Sequence, residues 1–291
     1  MYDRAVACWR QTLNMDEEHP DADLRIGEAY WAMGDLGRAM KHYRIAAERN
    51  PTDPDVLLDY GELAMELGLL DEAQKQFRKA LDEHPDCPAA TFCLGALEIR
   101  RGRFTKAAKL LRRVLKLDDE FPGARMKRGQ ALLLGGHTDD AIKQFLLELK
   151  RCGDDPEMLD ELGQLLLDAQ ESRQANDVLR RLAKIRPDDA HVQHNLAVSF
   201  FMLDRHEDGM RHCRRALKLK PEYPLALYNL ALAHMQRGEV DRARRCVSRA
   251  LVITPSDDRL KSLSRELGAS GLWSAIRSRL PFVRRRKDMR R

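Results

Sequence analysis

The chain has 291 residues, of which 33% are charged and 6% aromatic. Gly and Pro are too scarce for a disordered or collagen-like chain, and the mixture is typical of amphipathic helices with solvated outer faces. No apolar run approaches the roughly 18 residues of a membrane-spanning helix, and the first twenty residues are polar and acidic. We therefore expect a cytoplasmic protein without a signal peptide.

Charge and cysteine positions narrow the class further. Residues 271–291 carry eight Lys/Arg and one Asp, a balance of +7 within a net charge of +5, so the rest of the chain is close to neutral. The six cysteines form no Cys-x-x-Cys pair and have no matching His spacing. They are interpreted as reduced packing residues, and we expect no metal site and no cofactor.

Residues 1–19 predict one amphipathic helix, with Tyr2, Val6, Trp9 and Leu13 on one side. In the register of the repeat that follows, this segment is the second half of a helical hairpin. Three interpretations are open: the helix caps the first complete hairpin, it self-associates with another chain, or the start of the chain is placed too far downstream.

Residues 20–257 have a period of 34 residues, in which small residues recur at two positions twelve apart. Two helices that cross closely require small side chains at the crossing point. The pairs are Gly27 and Ala39, Gly61 and Ala73, Gly95 and Ala107, Gly129 and Ala141, Gly163 and Ala175, Ala197 and Gly209, and Ala231 and Ala243.

Other positions of the period agree. The residue before the first small residue is apolar in six repeats of seven, the exception being Arg128. A Gly such as Gly68 falls in the turn between the helices in five repeats, where a left-handed residue ends the first helix. A Pro such as Pro85 follows the second helix in five repeats and stops it.

These small, apolar, Gly and Pro positions resemble the signature of the tetratricopeptide repeat (TPR) family over roughly residues 20–257. The resemblance implies an all-α, right-handed α-solenoid of seven complete hairpins, preceded by the half repeat at residues 1–19. The repeats begin at residues 20, 54, 88, 122, 156, 190 and 224. Repeat 4 departs from the family pattern because Arg125 and Arg128 stand on its apolar face.

Two segments follow the last repeat. Residues 258–268 carry Leu260, Leu263 and Leu267 at helical spacing, which predicts a cap helix that closes the apolar core. Residues 269–291 predict a basic amphipathic tail that docks on the solenoid, contacts an anionic membrane, or meets nucleic acid or an acidic protein. The residues expected to make membrane or acidic-partner contacts are Trp273, Ile276, Leu280, Arg284, Arg285, Arg286 and Lys287.

In TPR proteins the first helices line a concave groove that holds a partner peptide or helix, so the resemblance implies such a site here. Solvent-facing first-helix positions supply the candidates. They are Arg25, Glu28, Asp59, Glu62, Phe92, Arg100, Lys127, Gln130, Glu161, Gln164, His191, His194, Asn195, Tyr228 and Asn229.

Three of these candidates suggest more specific chemistry. Asn195 and Asn229 occupy the same position of successive repeats, which is similar to the asparagine ladder that grips a peptide backbone in some TPR proteins. His191 and His194 share a helix face, but no third ligand stands at the next turn. The carboxylate clamp of chaperone-binding TPR proteins is absent from every set of three consecutive repeats.

No segment of the sequence matches a phosphate-binding loop, a nucleophile elbow or a catalytic metal motif. We therefore expect a non-catalytic scaffold or adaptor with a protein or peptide partner, and no nucleic acid or small-molecule substrate. The alternative is an assembly factor held at the inner face of a membrane by the basic tail.

Overall fold

The computed structural model describes residues 2–268, and these residues form α-helices without any strand. The helices are α1 (Tyr2–Met15), α2 (Ala22–Ala32), α3 (Leu36–Arg49), α4 (Pro54–Glu66), α5 (Leu70–Glu83), α6 (Pro88–Arg100), α7 (Phe104–Leu117), α8 (Ala124–Leu134), α9 (Thr138–Leu149), α10 (Pro156–Asp168), α11 (Ser172–Ile185), α12 (Ala190–Met202), α13 (His206–Leu219), α14 (Pro224–Gln236), α15 (Val240–Ile253) and α16 (Asp258–Gly268).

The chain divides into two compact units, residues 1–144 and residues 145–291, and the boundary falls within α9. In the first unit, hairpins α2–α3, α4–α5 and α6–α7 follow α1 and precede α8. In the second unit, hairpins α10–α11, α12–α13 and α14–α15 precede α16. Within each unit, successive helices contact each other in chain order, and the all-α fold expected from the sequence is confirmed.

Helices α4, α10 and α12 each begin after an aspartate whose side chain caps the helix. Asp53 accepts hydrogen bonds at Oδ1 from the backbone N–H groups of Asp55 (2.9 Å) and Val56 (3.4 Å), and Pro54 occupies the first turn. Asp155 and Asp189 cap α10 and α12 in the same way. These caps satisfy backbone donors that the helix itself cannot pair.

The turn between the two helices requires one left-handed residue in every repeat. Gly68 has φ of +76°, and the equivalent glycines of four other repeats have similar values. In repeats 5 and 6 the same position holds Gln170 (φ 61°) and Asp204 (φ 58°) instead. A side chain in this conformation is strained because Cβ approaches the following carbonyl oxygen.

The two helices of each hairpin cross where the sequence places its small residues. A Cβ added to Gly61 would overlap the ring of Phe77, which is fully buried. At Gly95 and Gly163, an added Cβ would lie 2.8 Å from Leu111 Cγ and 2.7 Å from Leu179 Cδ2. The crossing distance is therefore set by the absence of a side chain on one helix and a large apolar side chain on the other.

The outermost helices described cover the apolar sides of their neighbours. Helix α1 packs on α2, with Val6 buried, Trp9 and Leu13 half-buried, and Arg10 Nη2 donating to Tyr30 Oη at 2.9 Å. Helix α16 packs on α15 through Leu260, Leu263 and Leu267, all buried. No helix within residues 2–268 combines the length and apolar character needed to cross a bilayer.

We expect Gly61→Ala to lower the free energy of unfolding by roughly 1–3 kcal/mol, because the new methyl group displaces the buried Phe77 ring. The helix propensity of alanine exceeds that of glycine by up to about 1 kcal/mol, which would stabilise the protein. The expected loss of stability therefore depends on the packing clash outweighing this gain. Gly37→Ala in α3 is the matched control, since a Cβ added at Gly37 would lie 3.9 Å from Asp35 Oδ1 and would meet no other atom. Urea unfolding followed by circular dichroism should show the control unchanged or stabilised, and equal losses would contradict this account of the crossing.

Gln170→Gly is expected to raise the free energy of unfolding by roughly 0.5–1 kcal/mol, because glycine removes the left-handed strain at the α10–α11 turn. Gly68→Ala places a side chain in the same conformation and should lower stability by about 1 kcal/mol. Both are measured by urea unfolding. If Gln170→Gly destabilises the protein, the turn is not strained.

Candidate partner-binding surfaces

Within each of the two units, the first helices of the hairpins carry candidate residues. In the first unit, α2 and α4 carry four carboxylates that we call the acidic strip: Glu28, Asp59, Glu62 and Glu66. Helices α6 and α8 continue this surface with Phe92, Arg100, Lys127 and Gln130. In the second unit, α10, α12 and α14 carry the remaining candidates.

Hydrogen bonds from two side chains, Arg25 and Trp31, hold the ends of the acidic strip. Arg25 Nη1 donates to both carboxylate oxygens of Glu28, at 2.8 and 3.0 Å. The indole Nε1 of Trp31 donates to Glu66 Oε2 at 2.7 Å and so links α2 to α4. The strip therefore has fixed side chains at both ends, with Asp59 and Glu62 between them.

Asp59 is the most perturbed acid of the strip. Its pKa is raised to about 6, first by burial and then, in decreasing order, by the charges of Glu28, Glu62 and Asp55. Arg25 is the one cation that opposes this shift, and it is already paired with Glu28. A positive group brought next to Asp59 would stabilise its ionised form.

Glu62 is held from the neighbouring repeat by a thiol. Cys93 Sγ on α6 donates to Glu62 Oε1 at 3.3 Å, and burial together with the Glu62 charge raises the pKa of that thiol. The thiol therefore stays protonated and acts as a donor. A thiol with a raised pKa is a poor nucleophile, so Cys93 is a packing residue and not a reactive one.

The surface beyond the strip is more apolar and is partly engaged. The Phe92 ring lies 5.2 Å from that of Phe121, and Arg100 Nη1 donates to the carbonyl oxygen of Met65 at 2.5 Å. Lys127 Nζ donates to Gln130 Oε1 at 3.5 Å. Phe92 is half-buried, so part of its ring remains available to a partner.

In the second unit, three candidates are not solvent-facing. His194, Asn195 and Asn229 are only 7%, 7% and 9% exposed, so the prediction of exposure is wrong for them. Asn229 Nδ2 and His194 Nε2 are 3.0 Å apart, and this contact joins α14 to α12. Helices α12 and α14 pack against each other here, so Asn195 and Asn229, which occupy the same position of their repeats, face a helix instead of solvent.

His194 is kept neutral by this burial. Desolvation lowers its pKa to about 4, and its ring lies 5.0 Å from the ring of Tyr223. Asn195 Nδ2 is 3.4 Å from His191 Nδ1, one turn away on the same helix. The two asparagines thus belong to a polar seam between helices, and the ladder interpretation remains a prediction without free amides to support it.

Four candidates of the second unit do reach the surface. Glu161 is half-buried and Gln164 exposed on α10, while His191 is exposed on α12 with Nδ1 3.9 Å from Asp160 Oδ1. Tyr228 on α14 is half-buried, and the guanidinium of Arg259 lies 5.8 Å from the centre of its ring. These side chains are dispersed, and they offer no concentration of one charge.

The surface also contains residues that the repeat pattern did not single out. Trp31 and Cys93 each hold a carboxylate of the acidic strip. A signal existed for both: Trp31 and Glu66 are 35 residues apart and Cys93 and Glu62 are 31 apart, each close to one 34-residue period. Residues separated by one period face each other on adjacent first helices.

No group of three or more His, Cys, Asp or Glu side chains within residues 2–268 is arranged to hold a metal ion. The tail candidates lie outside the described residues, namely Trp273, Ile276, Leu280, Arg284, Arg285, Arg286 and Lys287.

Comparison with known proteins agrees with the helical repeat. A tetratricopeptide repeat family model matches residues 58–120, 94–156 and 161–224, and a second one matches residues 200–267. A model of YpiA-like C-terminal tetratricopeptide repeats matches residues 20–86. A search of curated proteins found no match.

Solved structures of TPR proteins share the fold at low sequence identity. A chain of the APC/C hetero-tetramer Cut9–Hcn1 aligns at TM-score 0.63 and 15% identity over 91% of this chain, which spans about half (52%) of that chain. The C-terminal part of a TPR protein from Cytophaga hutchinsonii aligns at TM-score 0.61 and 14% identity, covering 82% of this chain and 98% of that chain.

A third structure, YrrB, is described as a TPR protein with an unusual peptide-binding site. It aligns at TM-score 0.52 and 17% identity, covering 67% of this chain and 97% of that chain. Together, the family models match more than half of the sequence. The chain therefore belongs to the tetratricopeptide repeat family, whose hairpins form scaffolds for protein interaction.

Proposed function

We propose that this protein is a non-catalytic scaffold that binds a peptide or helix of a partner protein on the first-helix surfaces. The acidic strip of the first unit receives a basic segment of that partner. The supporting observation is the raised pKa of Asp59, a half-buried carboxylate that no cation of the described residues pairs directly.

The acidic strip concentrates negative charge, and this lowers the stability of the protein when no partner is bound. Asp59 is surrounded by Glu28, Glu62 and Asp55, and ionising it brings like charges together in a partly desolvated place. A Lys or Arg of a partner removes this repulsion and adds a charge-assisted hydrogen bond. The free energy that the isolated fold loses at Asp59 is thus regained on binding.

The surroundings of the strip suit a helix or peptide with apolar residues next to its basic ones. Trp31 and Phe92 are half-buried and flank the carboxylates on α2 and α6. Aromatic side chains contribute large contact areas at interfaces, and charged rims set partner choice. A purely cationic ligand would leave these rings uncovered.

The second unit contributes differently to the proposal. Because Asn195 and Asn229 lie in the buried polar seam, the residues left for a partner are Glu161, Gln164, His191 and Tyr228. Their mixed polarity supports a weaker or less charge-selective contact than the acidic strip. Substitutions in the first unit are therefore the sharper test.

Asp59→Asn with Glu62→Gln is expected to weaken binding of a fluorescein-labelled lysine-rich peptide roughly tenfold, because two carboxylates that face the cation are neutralised. Fluorescence anisotropy at constant ionic strength measures the dissociation constant. A peptide with glutamine in place of lysine should bind weakly to both proteins.

The matched control is Asp82→Asn with Glu83→Gln, which removes the same charge from the exposed end of α5 in the same hairpin. This control should bind the lysine-rich peptide as the unchanged protein does. Equal weakening by both double variants would mean that only net charge matters, and it would refute the strip as a site.

Asp59→Asn alone should stabilise the free protein at pH 7 while it weakens peptide binding. The folded-state pKa of about 6 lies above the ordinary value of 3.8, so the ionised carboxylate destabilises the fold, and does so fully above pH 6. The gain should fade as the pH falls from 6 through 3.8, because below both pKa values the carboxyl is protonated in the folded and the unfolded chain alike.

Peptide affinity of the unchanged protein should fall over the same range, as the pH drops through 6, because protonation removes the charge that attracts the cation. Thermal unfolding and anisotropy at pH 4.5, 6 and 7.5, roughly bracketing that pKa, measure the two effects. Stabilisation without loss of affinity would leave Asp59 outside the binding surface.

A further inference from the structure

A cleft of about 170 Å³ is lined by α7, α8 and the residue that precedes α9, and it gathers positive charge. Its wall includes Phe104 and Leu132 together with four basic groups, which we call the basic cleft: Lys109, Arg112, Arg128 and His137. All of these residues lie in the first unit. None of them belongs to the acidic strip.

Arg128 occupies a position at which every other repeat buries an apolar side chain. The equivalent residues are Ile26, Tyr60, Leu94, Leu162, Leu196 and Leu230, all buried. Arg128 is half-buried at the same place, so a guanidinium has replaced the apolar contact between first and second helices. The nearby Arg125 differs in having a carboxylate partner, because Arg125 Nη2 donates to Asp119 Oδ1 at 2.7 Å.

The Arg128 guanidinium has a neutral partner but no counter-ion among the residues that the structure describes. Its Nη1 donates to Gln144 Oε1 at 3.2 Å, and its Nε is buried without any hydrogen-bond acceptor. Asp140 is the carboxylate that favours its charged form, yet Asp140 Oδ1 accepts from Lys143 Nζ at 2.8 Å. A buried donor without an acceptor carries an uncompensated desolvation cost.

The neighbouring charges add to this cost. Burial lowers the pKa of Arg128, and the positive charges of Arg112 and Arg125 act in the same direction. Arg112 and Lys109 are exposed at the rim and make no ion pair in the described part of the chain. Several cations thus converge on a small cleft that lacks a matching anion.

We propose that the basic cleft binds an anionic group with more than one negative charge, of the kind that a phosphate presents. Tetrahedral oxyanions offer several acceptors at once, which suits the guanidinium groups of Arg128 and Arg112 and the ammonium group of Lys109. His137 at the mouth adds a further ring nitrogen that can donate. The phosphate group could be free inorganic phosphate or part of a larger molecule.

The test is thermal unfolding of the full chain in inorganic phosphate, phosphoserine or acetate, at constant pH and ionic strength. Phosphate should raise the midpoint temperature by about 2–4 °C once its concentration reaches roughly ten times the dissociation constant. Acetate, with one charge, should have little effect. A phosphoserine effect assigns the site to phosphate groups on larger molecules as well, and a phosphate effect alone assigns it to the free ion.

Two variants locate the effect. Arg128→Leu restores the residue that repeats 3, 5, 6 and 7 carry at this position, so it should fold and lose the phosphate-dependent shift. Arg112→Gln changes an exposed residue and should raise the apparent dissociation constant for phosphate roughly tenfold. The second variant keeps the test decisive if the first one alters packing.

Arg214→Gln is the matched control, since Arg214 is exposed at the position of repeat 6 that corresponds to Arg112, and its neighbouring repeat carries Leu230 instead of an arginine. The control should keep the full phosphate shift. The proposal is overturned if acetate acts like phosphate, if Arg128→Leu retains the shift, or if Arg214→Gln loses as much of it as Arg112→Gln.

Discussion

The close crossing of two helices within a hairpin is the constraint on which the rest of this structure depends. Gly61 leaves no room for a Cβ beside the Phe77 ring, and the same relation holds at Gly163 and Leu179. This contact fixes the distance between the helices, so the connecting turn must reverse the chain within a few residues and needs one left-handed residue. It also determines which faces of a hairpin are left to pack against the next hairpin. The surfaces available to a ligand follow from this geometry.

Those surfaces carry two opposite departures from an ordinary packed repeat. Along α2 and α4, carboxylates are brought together until burial and repulsion raise the pKa of Asp59 to about 6. Near α7 and α8, Arg128 replaces an apolar contact and keeps an unpaired buried Nε. Each arrangement costs stability in the isolated fold, and a rigid helical scaffold tolerates such costs because neighbouring hairpins supply the packing. The sign of the charge differs, so each surface selects a different ligand chemistry.

The sequence was sufficient for the fold because its signals are local and repeated. Small residues twelve apart, Gly in the turn and Pro after the second helix each report a backbone requirement of one hairpin. The binding surface was only partly predictable. Glu28, Asp59 and Glu62 come together as the period implies, but Asn195 and Asn229 do not reach solvent. Helices α12 and α14 do not separate a polar face from an apolar one, and that pattern was the available sign that their polar residues face other helices.

By itself, then, the sequence determined the repeat length, the hairpin in each repeat and the residues that meet inside it, because all of these depend on separations shorter than one period. Tertiary structure alone decided what happens between hairpins. Trp31 reaches Glu66 and Cys93 reaches Glu62 because adjacent hairpins stack on each other. The same stacking buries the Nε of Arg128, which has no hydrogen-bond partner among the described residues. Burial and electrostatics between stacked helices depend on side chains from both, so the pKa of Asp59 and the neutral state of His194 cannot be read from either helix separately.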